Sequence, residues 1–199
     1  MKHFRLLLAV VGASVLLGAL ATAASAGRLS ISNQRFRATW AALNFGGAFG
    51  TVTCAITVEG SLHTRTINKI AGTLVGFITG ASAGVCSRGS VTILRETLPW
   101  HTVYSSFTGT LPNITGVVAR AIGITFLLRE PTFGITCLAR STAESAAVGT
   151  FNRETATGVA TSITSSGGFP CEGLGPGEYS GSTSSFVNET GGRITITLI

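Results

Sequence analysis

The sequence predicts an all-β fold, either an antiparallel β-sandwich or a small β-barrel, braced by disulfide bonds. Three observations lead to this prediction. Small, β-branched and hydroxyl-bearing residues dominate the chain. Apolar and polar residues alternate with a period of two along many short segments. Gly, Pro, Asn and Ser separate most of these segments, as short turns require. Of the two architectures, we favour the sandwich.

Residues 1–26 have the pattern of a cleavable secretory signal. Lys2 and Arg5 form a positive start, an apolar run follows, and Ala24-Ser25-Ala26 ends it with small residues that signal peptidase accepts. A transmembrane helix is the alternative, but it needs about 20 apolar residues and anchoring flanks. The sequence therefore predicts export to the extracellular space or the cell envelope, with residues 27–199 forming one domain.

About ten strands are predicted within that domain from the period-two alternation. The clearest is 51–58, where every second residue is apolar and threonines occupy most of the other positions. A hairpin tip is predicted at Glu59-Gly60, and the Gly- and Ser-rich segment 165–185 is predicted to be a long loop. The remaining strands are expected at 29–40, 61–70, 72–79, 90–96, 101–110, 116–128, 147–153, 158–165 and 194–198.

The four cysteines of the chain, Cys54, Cys86, Cys137 and Cys171, predict two disulfide bonds in an exported protein. Three pairings are possible. The segments FGTVTC, ending at Cys54, and FGITC, ending at Cys137, are similar. This similarity favours Cys54–Cys86 with Cys137–Cys171, either through an ancient duplication or because two strands happen to look alike. No pair has the two-residue spacing of a zinc knuckle.

Two absences narrow the chemistry. The sequence contains no Asp, and beyond residue 26 its only histidines are His63 and His101. A Ser-His-Asp triad in its usual form and a three-His zinc site are therefore excluded, and no cofactor or metal is expected. The formal net charge is +6, but the arginines are spread along the chain, so a nucleic-acid interface is not expected.

The most distinctive local feature is the segment from Leu98 to His101. Pro99 must lie at the end or edge of a strand, so it brings an aromatic ring and charged groups to the rim of a sheet. A sugar could stack on the indole there and bond to a neighbouring charged side chain; the simpler interpretation is that the indole fills the end of the core while His101 faces water. The candidate binding residues at this rim are Trp100, His101, Arg95, Glu96 and Tyr104.

A second candidate surface is the predicted strand 61–70, which places His63 and Arg65 on one face together with Ile67 and Lys69. Such a basic stripe could meet an anionic polymer of the cell envelope. A solvated sheet face, or a charged edge that discourages aggregation, is the more common explanation of this pattern.

Three runs carry a resemblance: TCAITVEGS at 53–61, TLPWH at 97–101 and GTLPNI at 109–114. They resemble uncharacterised secreted β-rich proteins of high-GC Gram-positive bacteria, and the resemblance extends over most of residues 27–199. It implies export and a β fold, and it adds no mechanism.

Together these observations predict a non-catalytic binding or structural protein that is secreted or associated with the cell envelope, with an envelope glycan or anionic polymer as its partner. One alternative is a secreted hydrolase that uses Glu96 and His101 near Pro99, which requires both side chains and a nucleophile in one pocket. The other alternative is an outer-membrane β-barrel, against which the scarcity of Trp and Tyr argues.

Overall fold

The computed structural model describes residues 27–48, 50–132, 134–171 and 175–199; the predicted signal at 1–26, Phe49 and Phe133 lie outside the described residues. The described residues contain fifteen strands and one short 3-10 turn, Arg95–Thr97. In chain order the strands are β1 (Arg28–Ile31), β2 (Arg35–Gly47), β3 (Gly50–Leu62), β4 (Thr66–Asn68), β5 (Leu74–Cys86), β6 (Ser90–Ile93), β7 (Trp100–Thr110), β8 (Asn113–Ile122), β9 (Thr125–Glu130), β10 (Ile135–Arg140), β11 (Ala147–Arg153), β12 (Ala160–Cys171), β13 (Gly175–Ser182), β14 (Ser185–Val187) and β15 (Ile196–Leu198). The predicted all-β class is confirmed.

The largest sheet closes on itself. Its nine antiparallel strands follow the order β13-β12-β11-β8-β7-β5-β3-β2-β14, and β13 also pairs with β2. Eight strands therefore form a closed ring, and strands that follow one another in the chain are neighbours in this ring. The ninth strand, β14, pairs with a different part of β2, residues 37–39. This is an up-and-down barrel, so the preference for a sandwich is wrong. Side chains alternate in the same way in a sandwich and in a barrel. The pairing of residues 44–46 in β2 with residues 178–180 in β13 closes the sheet and makes it a barrel.

Each end of the barrel is covered by a small antiparallel sheet of three strands. We call the sheet β15-β1-β4 the first cap and the sheet β10-β9-β6 the second cap. In the first cap, β1 precedes β2, β4 follows β3, and β15 is the last strand described. In the second cap, β6 comes from the segment between β5 and β7, and β9 and β10 come from the segment between β8 and β11. A continuous core of buried apolar side chains runs through the barrel and both caps.

Several strand predictions are wrong in their boundaries because the chain leaves the barrel where the alternation continues. The predicted strand 29–40 is divided between β1 and β2, the predicted strand 61–70 between β3 and β4, and the predicted strand 116–128 between β8 and β9. In each case the second part belongs to a different sheet from the first. A local period of two does not report this change of partner.

Two predicted connections are also wrong, and both involve glycine. Glu59-Gly60 lies inside β3 rather than at a hairpin tip, and 165–185 contains most of β12 and all of β13. Glycine in a strand often marks a place where another group approaches the backbone closely. At Gly60 that group is the ring of Phe36, which an added Cβ would meet.

The two disulfide bonds are Cys54–Cys86 and Cys137–Cys171, with sequence separations of 32 and 34 residues. The first joins directly paired residues of neighbouring barrel strands β3 and β5. The second joins β10 of the second cap to the end of β12 in the barrel. No helix within the described residues has the length and apolarity needed to span a bilayer.

Candidate functional site

The barrel encloses an apolar cavity of about 140 Å³ beneath the second cap. All eight strands of the ring contribute to its wall, and Val91, Phe126 and other side chains of the second cap close it at one end. An eight-stranded barrel is just wide enough either to be filled by its own side chains or to hold one small ligand. Here the interior is not filled, which makes this cavity the candidate binding site.

Cross-strand pairing of aromatic residues with glycine helps to keep this interior open. Three inward-facing pairs have a large ring directly opposite a glycine: Phe36–Gly60, Tyr179–Gly167 and Phe169–Gly177. A Cβ added to any of these glycines would collide with the opposite ring. Because the glycines have no side chain, the rings lie against the wall of the barrel, and the space along its axis is left free.

A smaller cavity of about 40 Å³ lies beneath the first cap. Its wall includes Leu29, Ile67 and Ile196 of that cap. Both cavities share four lining residues, Phe36, Thr102, Ala119 and Phe151. These residues therefore lie where the interior of the barrel passes from one cavity to the other.

Two residues that line the larger cavity each have one side-chain polar atom that is covered by protein and has no hydrogen-bond partner. The atoms are Nε1 of Trp40, a donor, and Oγ1 of Thr102, which can donate or accept. The two residues are only 6% exposed. Leaving such a buried group unsatisfied costs about 1–3 kcal/mol, and native proteins keep only a few of them.

The two tyrosines of the chain face different cavities. Tyr179 lines the larger cavity, and its hydroxyl accepts a 3.0 Å hydrogen bond from the backbone N–H of Val148. Burial raises the pKa of Tyr179 to about 12. Tyr104 lines the smaller cavity, and burial raises its pKa as well. Both hydroxyls are therefore neutral throughout the physiological range.

The sequence-predicted rim residues are divided between the inside and the outside of the barrel. Trp100 is 2% exposed and lines the larger cavity, and Tyr104 points inward along the same strand. His101 is exposed on the outer face, and Arg95 and Glu96 are exposed in the 3-10 turn that precedes β7. Trp100 is buried with its N–H donating to Thr97 Oγ1 at 2.8 Å, so it offers no platform on which a surface sugar could stack.

The predicted basic stripe is not a single face of one strand. The chain leaves the barrel after Leu62, so exposed His63 and Arg65 lie in the connection to β4, where Ile67 is buried. His63 contacts Phe77 edge-on, with ring centroids 4.8 Å apart, and His101 contacts the same ring at 5.3 Å. The structure thus brings one residue of each predicted surface to a common aromatic ring on the outer wall.

Glu96 and His101, which the hydrolase alternative requires in one pocket with a nucleophile, are both exposed and line neither of these two cavities. Among the described residues, no group of three or more His, Cys, Asp or Glu side chains is placed to hold a metal ion. The charged residues in the wall of the larger cavity are Arg120 and Arg140, and the guanidinium of Arg120 donates to the carbonyl of Ala143.

Sequence reasoning did not single out Trp40 and Thr102, which the structure places in the lining of the larger cavity. The sequence around Trp40 is that of an ordinary core aromatic, and Thr102 is one of many threonines in strands. One signal was present: Thr102 falls on the same face of its strand as Trp100 and Tyr104, where an apolar residue is expected. A polar residue at an inward position is an informative departure from the expected pattern.

Comparison with protein-family models, with curated proteins and with solved structures gives no match.

Proposed function

We propose that this protein is a non-catalytic binding protein that holds a small apolar molecule inside its barrel. The observation that carries the proposal is the apolar cavity of about 140 Å³ enclosed by the barrel and its second cap. Apolar cavities of about this size exclude water and bind molecules such as benzene. The large aromatic residues of the wall supply dispersion contacts to such a guest.

The proposed location is outside the cytoplasm, either secreted or in the cell envelope. The apolar N-terminal segment that ends in Ala24-Ser25-Ala26 supports export. Two disulfide bonds support an oxidising compartment. In that setting a closed barrel would protect an apolar molecule from water during storage or transfer.

Saturable binding of toluene, methylenecyclohexane and naphthalene to the oxidised protein, measured by calorimetry and by ligand-observed NMR, tests the proposal. We expect at least one of these probes to bind and to raise the unfolding temperature. The substitution Ala119→Leu, at a residue that is 6% exposed and lines both cavities, should weaken binding at least about tenfold because the new side chain occupies the space. Ala41→Leu, at an exposed position of β2, is the matched control and should bind as the wild type does.

Two results would overturn the proposal: absence of saturable binding for all three probes, or equal binding by wild type and Ala119→Leu. The same preparation reports on export, because protein recovered from the culture medium should begin at Gly27. Recovery of the intact N-terminus from the cytoplasm alone would contradict the proposed location.

A further inference from the structure

The larger cavity is long rather than round. Its lining extends along β2 from Phe36, which also lines the smaller cavity beneath the first cap, to Phe45, close to the end of that strand. Because an extended strand rises about 3.3 Å per residue, roughly 30 Å of strand separate these two residues. Barrel strands tilt by about 40° from the axis, which leaves a span of roughly 20 Å along it.

A cavity of this length and volume is narrow. About 140 Å³ is distributed over the whole span. An unbranched aliphatic chain can follow such a channel and contact its wall from end to end, whereas a ring with the same number of carbon atoms contacts only one part of it. Since dispersion contacts add over all atom pairs within reach, the chain gains more of them.

Three phenylalanine rings close the inner end of the larger cavity. The ring of Phe186 lies with its centroid 5.9 Å from that of Phe36 and 5.5 Å from that of Phe151. Phe36 and Phe151 line both cavities, whereas Phe186 lines only the smaller one. The three rings therefore lie at the boundary between the two cavities, and we call them the phenylalanine floor.

The opposite end of the larger cavity is the end nearest the surface. Among its lining residues, the exposed ones are Gly168 of β12 and Arg140 of the second cap. Gly168 pairs with Glu178, and Glu178 pairs in turn with Gly46, the residue that follows Phe45. The cavity therefore runs from the second cap, where its lining reaches the surface, to the phenylalanine floor.

We propose that the natural ligand is an unbranched aliphatic chain that lies along the barrel axis, and that the phenylalanine floor limits its length. This inference rests on the proposed function of the cavity, to which it adds a ligand class and the residues that determine specificity. A chain that reaches the floor has filled the larger cavity, and each further methylene group must remain in water.

The test measures binding of the n-alkanes from pentane to decane, and of methylcyclohexane, by their depletion from the headspace above the oxidised protein. Dividing each affinity by the hexadecane–water partition coefficient of the same hydrocarbon removes the contribution of aqueous solubility. The normalised affinity of the alkanes should stay nearly constant up to a limiting length and then fall about fourfold with each further methylene group. That of heptane should exceed that of methylcyclohexane, which has the same number of carbon atoms, by at least about fourfold, the equivalent of one buried methylene group.

Variants of the floor should move the limiting length. Phe151→Ala removes one ring of the boundary and joins the two cavities, so the first alkane that is too long for the wild type should bind about fourfold more tightly or better. Phe186→Leu is a milder change in the same boundary with the same expected direction, and it serves as the test if Phe151→Ala does not fold. Phe77→Ala is the matched control, because Phe77 is half-buried on the outer wall and lines neither cavity. Its limiting length should equal that of the wild type.

The outcomes separate this inference from the function on which it rests. If alkanes bind but the limiting length is the same in wild type, Phe151→Ala and Phe186→Leu, the floor does not limit the ligand. An equal shift in Phe77→Ala also overturns the role of the floor, and methylcyclohexane binding as tightly as heptane overturns the chain. If neither the alkanes nor the hydrocarbons named above bind, the proposed function itself is wrong.

Discussion

The two ends of the barrel are covered in the same way but held differently. Each has a three-stranded antiparallel cap. The first cap inserts Leu29, Ile31 and Ile196 into the interior, all of them 5% exposed or less, and the cavity beneath it measures about 40 Å³. The second cap covers a cavity of about 140 Å³ and is joined to the barrel by Cys137–Cys171.

The difference between the two caps shows how the barrel can stay closed at both ends although its interior is partly empty. A cap that lies over empty space forfeits dispersion contacts with the atoms that would otherwise fill it. The first cap covers less empty space and is retained by packing. The second cap covers more, and a covalent bond keeps it in place. We expect the second end to depend on its disulfide and the first to depend on its core.

Removal of the disulfides should have the largest effect and tests this expectation directly. Cys137→Ala/Cys171→Ala and Cys54→Ala/Cys86→Ala open loops of nearly equal length, with separations of 34 and 32 residues. The chain-entropy model assigns about 4 kcal/mol of unfolding free energy to each. Chemical unfolding measures this loss. Hydrogen exchange in β9 and β10 should accelerate only in the Cys137/Cys171 variant, because only that bond restrains the second cap.

Equal exchange rates for β9 and β10 in the two disulfide variants would contradict the expected difference between the ends. The variant with Cys54 and Cys86 replaced is the matched control, since its bond lies between neighbouring strands of the barrel wall.

Substitution of glycine at the end near the second cap should have an intermediate effect. Gly167→Ala places a Cβ against the Tyr179 hydroxyl and ring, so the ring must shift and its hydrogen bond from the Val148 N–H is strained or lost. We expect a loss of about 2 kcal/mol, typical of overpacking. Gly168→Ala is the control at the next position of the strand, where the nearest atom to the added Cβ would be the Gly177 carbonyl oxygen at 3.6 Å. Equal unfolding free energies for the two variants would refute this role of Gly167.

The smallest effect is a loss of stability at alkaline pH. The pKa of Tyr179 is about 12 in the folded protein because the side chain is buried, against about 10 in an unfolded chain. Unfolding therefore releases a proton between these values, and stability that is fully present below pH 10 falls as pH rises toward 12. At pH 11 the loss from this group is about 1.4 kcal/mol.

Chemical unfolding at pH 9 and pH 11 measures this loss, and Tyr179→Phe should remove it. The phenylalanine variant should also be less stable at neutral pH, since the N–H of Val148 loses its acceptor. An absorbance titration of the folded wild type should show both phenolates forming at higher pH than in the unfolded chain, because burial raises the pKa of Tyr104 as well. An identical pH dependence in the variant would show that Tyr179 is not the group responsible.

Local alternation predicted the barrel strands best where a strand begins and ends at turns within one sheet. The predicted strand 147–153 coincides with β11, and the prediction 101–110 differs from β7 by one residue. It failed where the chain passes from the barrel into a cap, and in 165–185, where glycines opposite Tyr179 and Phe169 look like turn residues. Those glycines are required by rings on a neighbouring strand, which no local pattern reports.

The candidate site was less predictable than the fold. The sequence singled out Trp100 because of its neighbours, and the structure does place it in the wall of the larger cavity. Its expected role at a surface depended on exposure, and the folded chain buries it. Trp40 carries no distinctive local pattern, and only the folded chain shows that Trp40 and Thr102 line the same cavity as Trp100.

By itself the sequence determined that this chain forms strands with one apolar face and that its cysteines would pair, because side-chain alternation and cysteine count are properties of the chain alone. Only the tertiary structure decided that the sheet closes through β2 and β13, that two caps cover its ends, and that the interior remains partly empty. These features depend on which strands become neighbours. Alternation states which face of a strand is buried, but it does not state what that face is buried against.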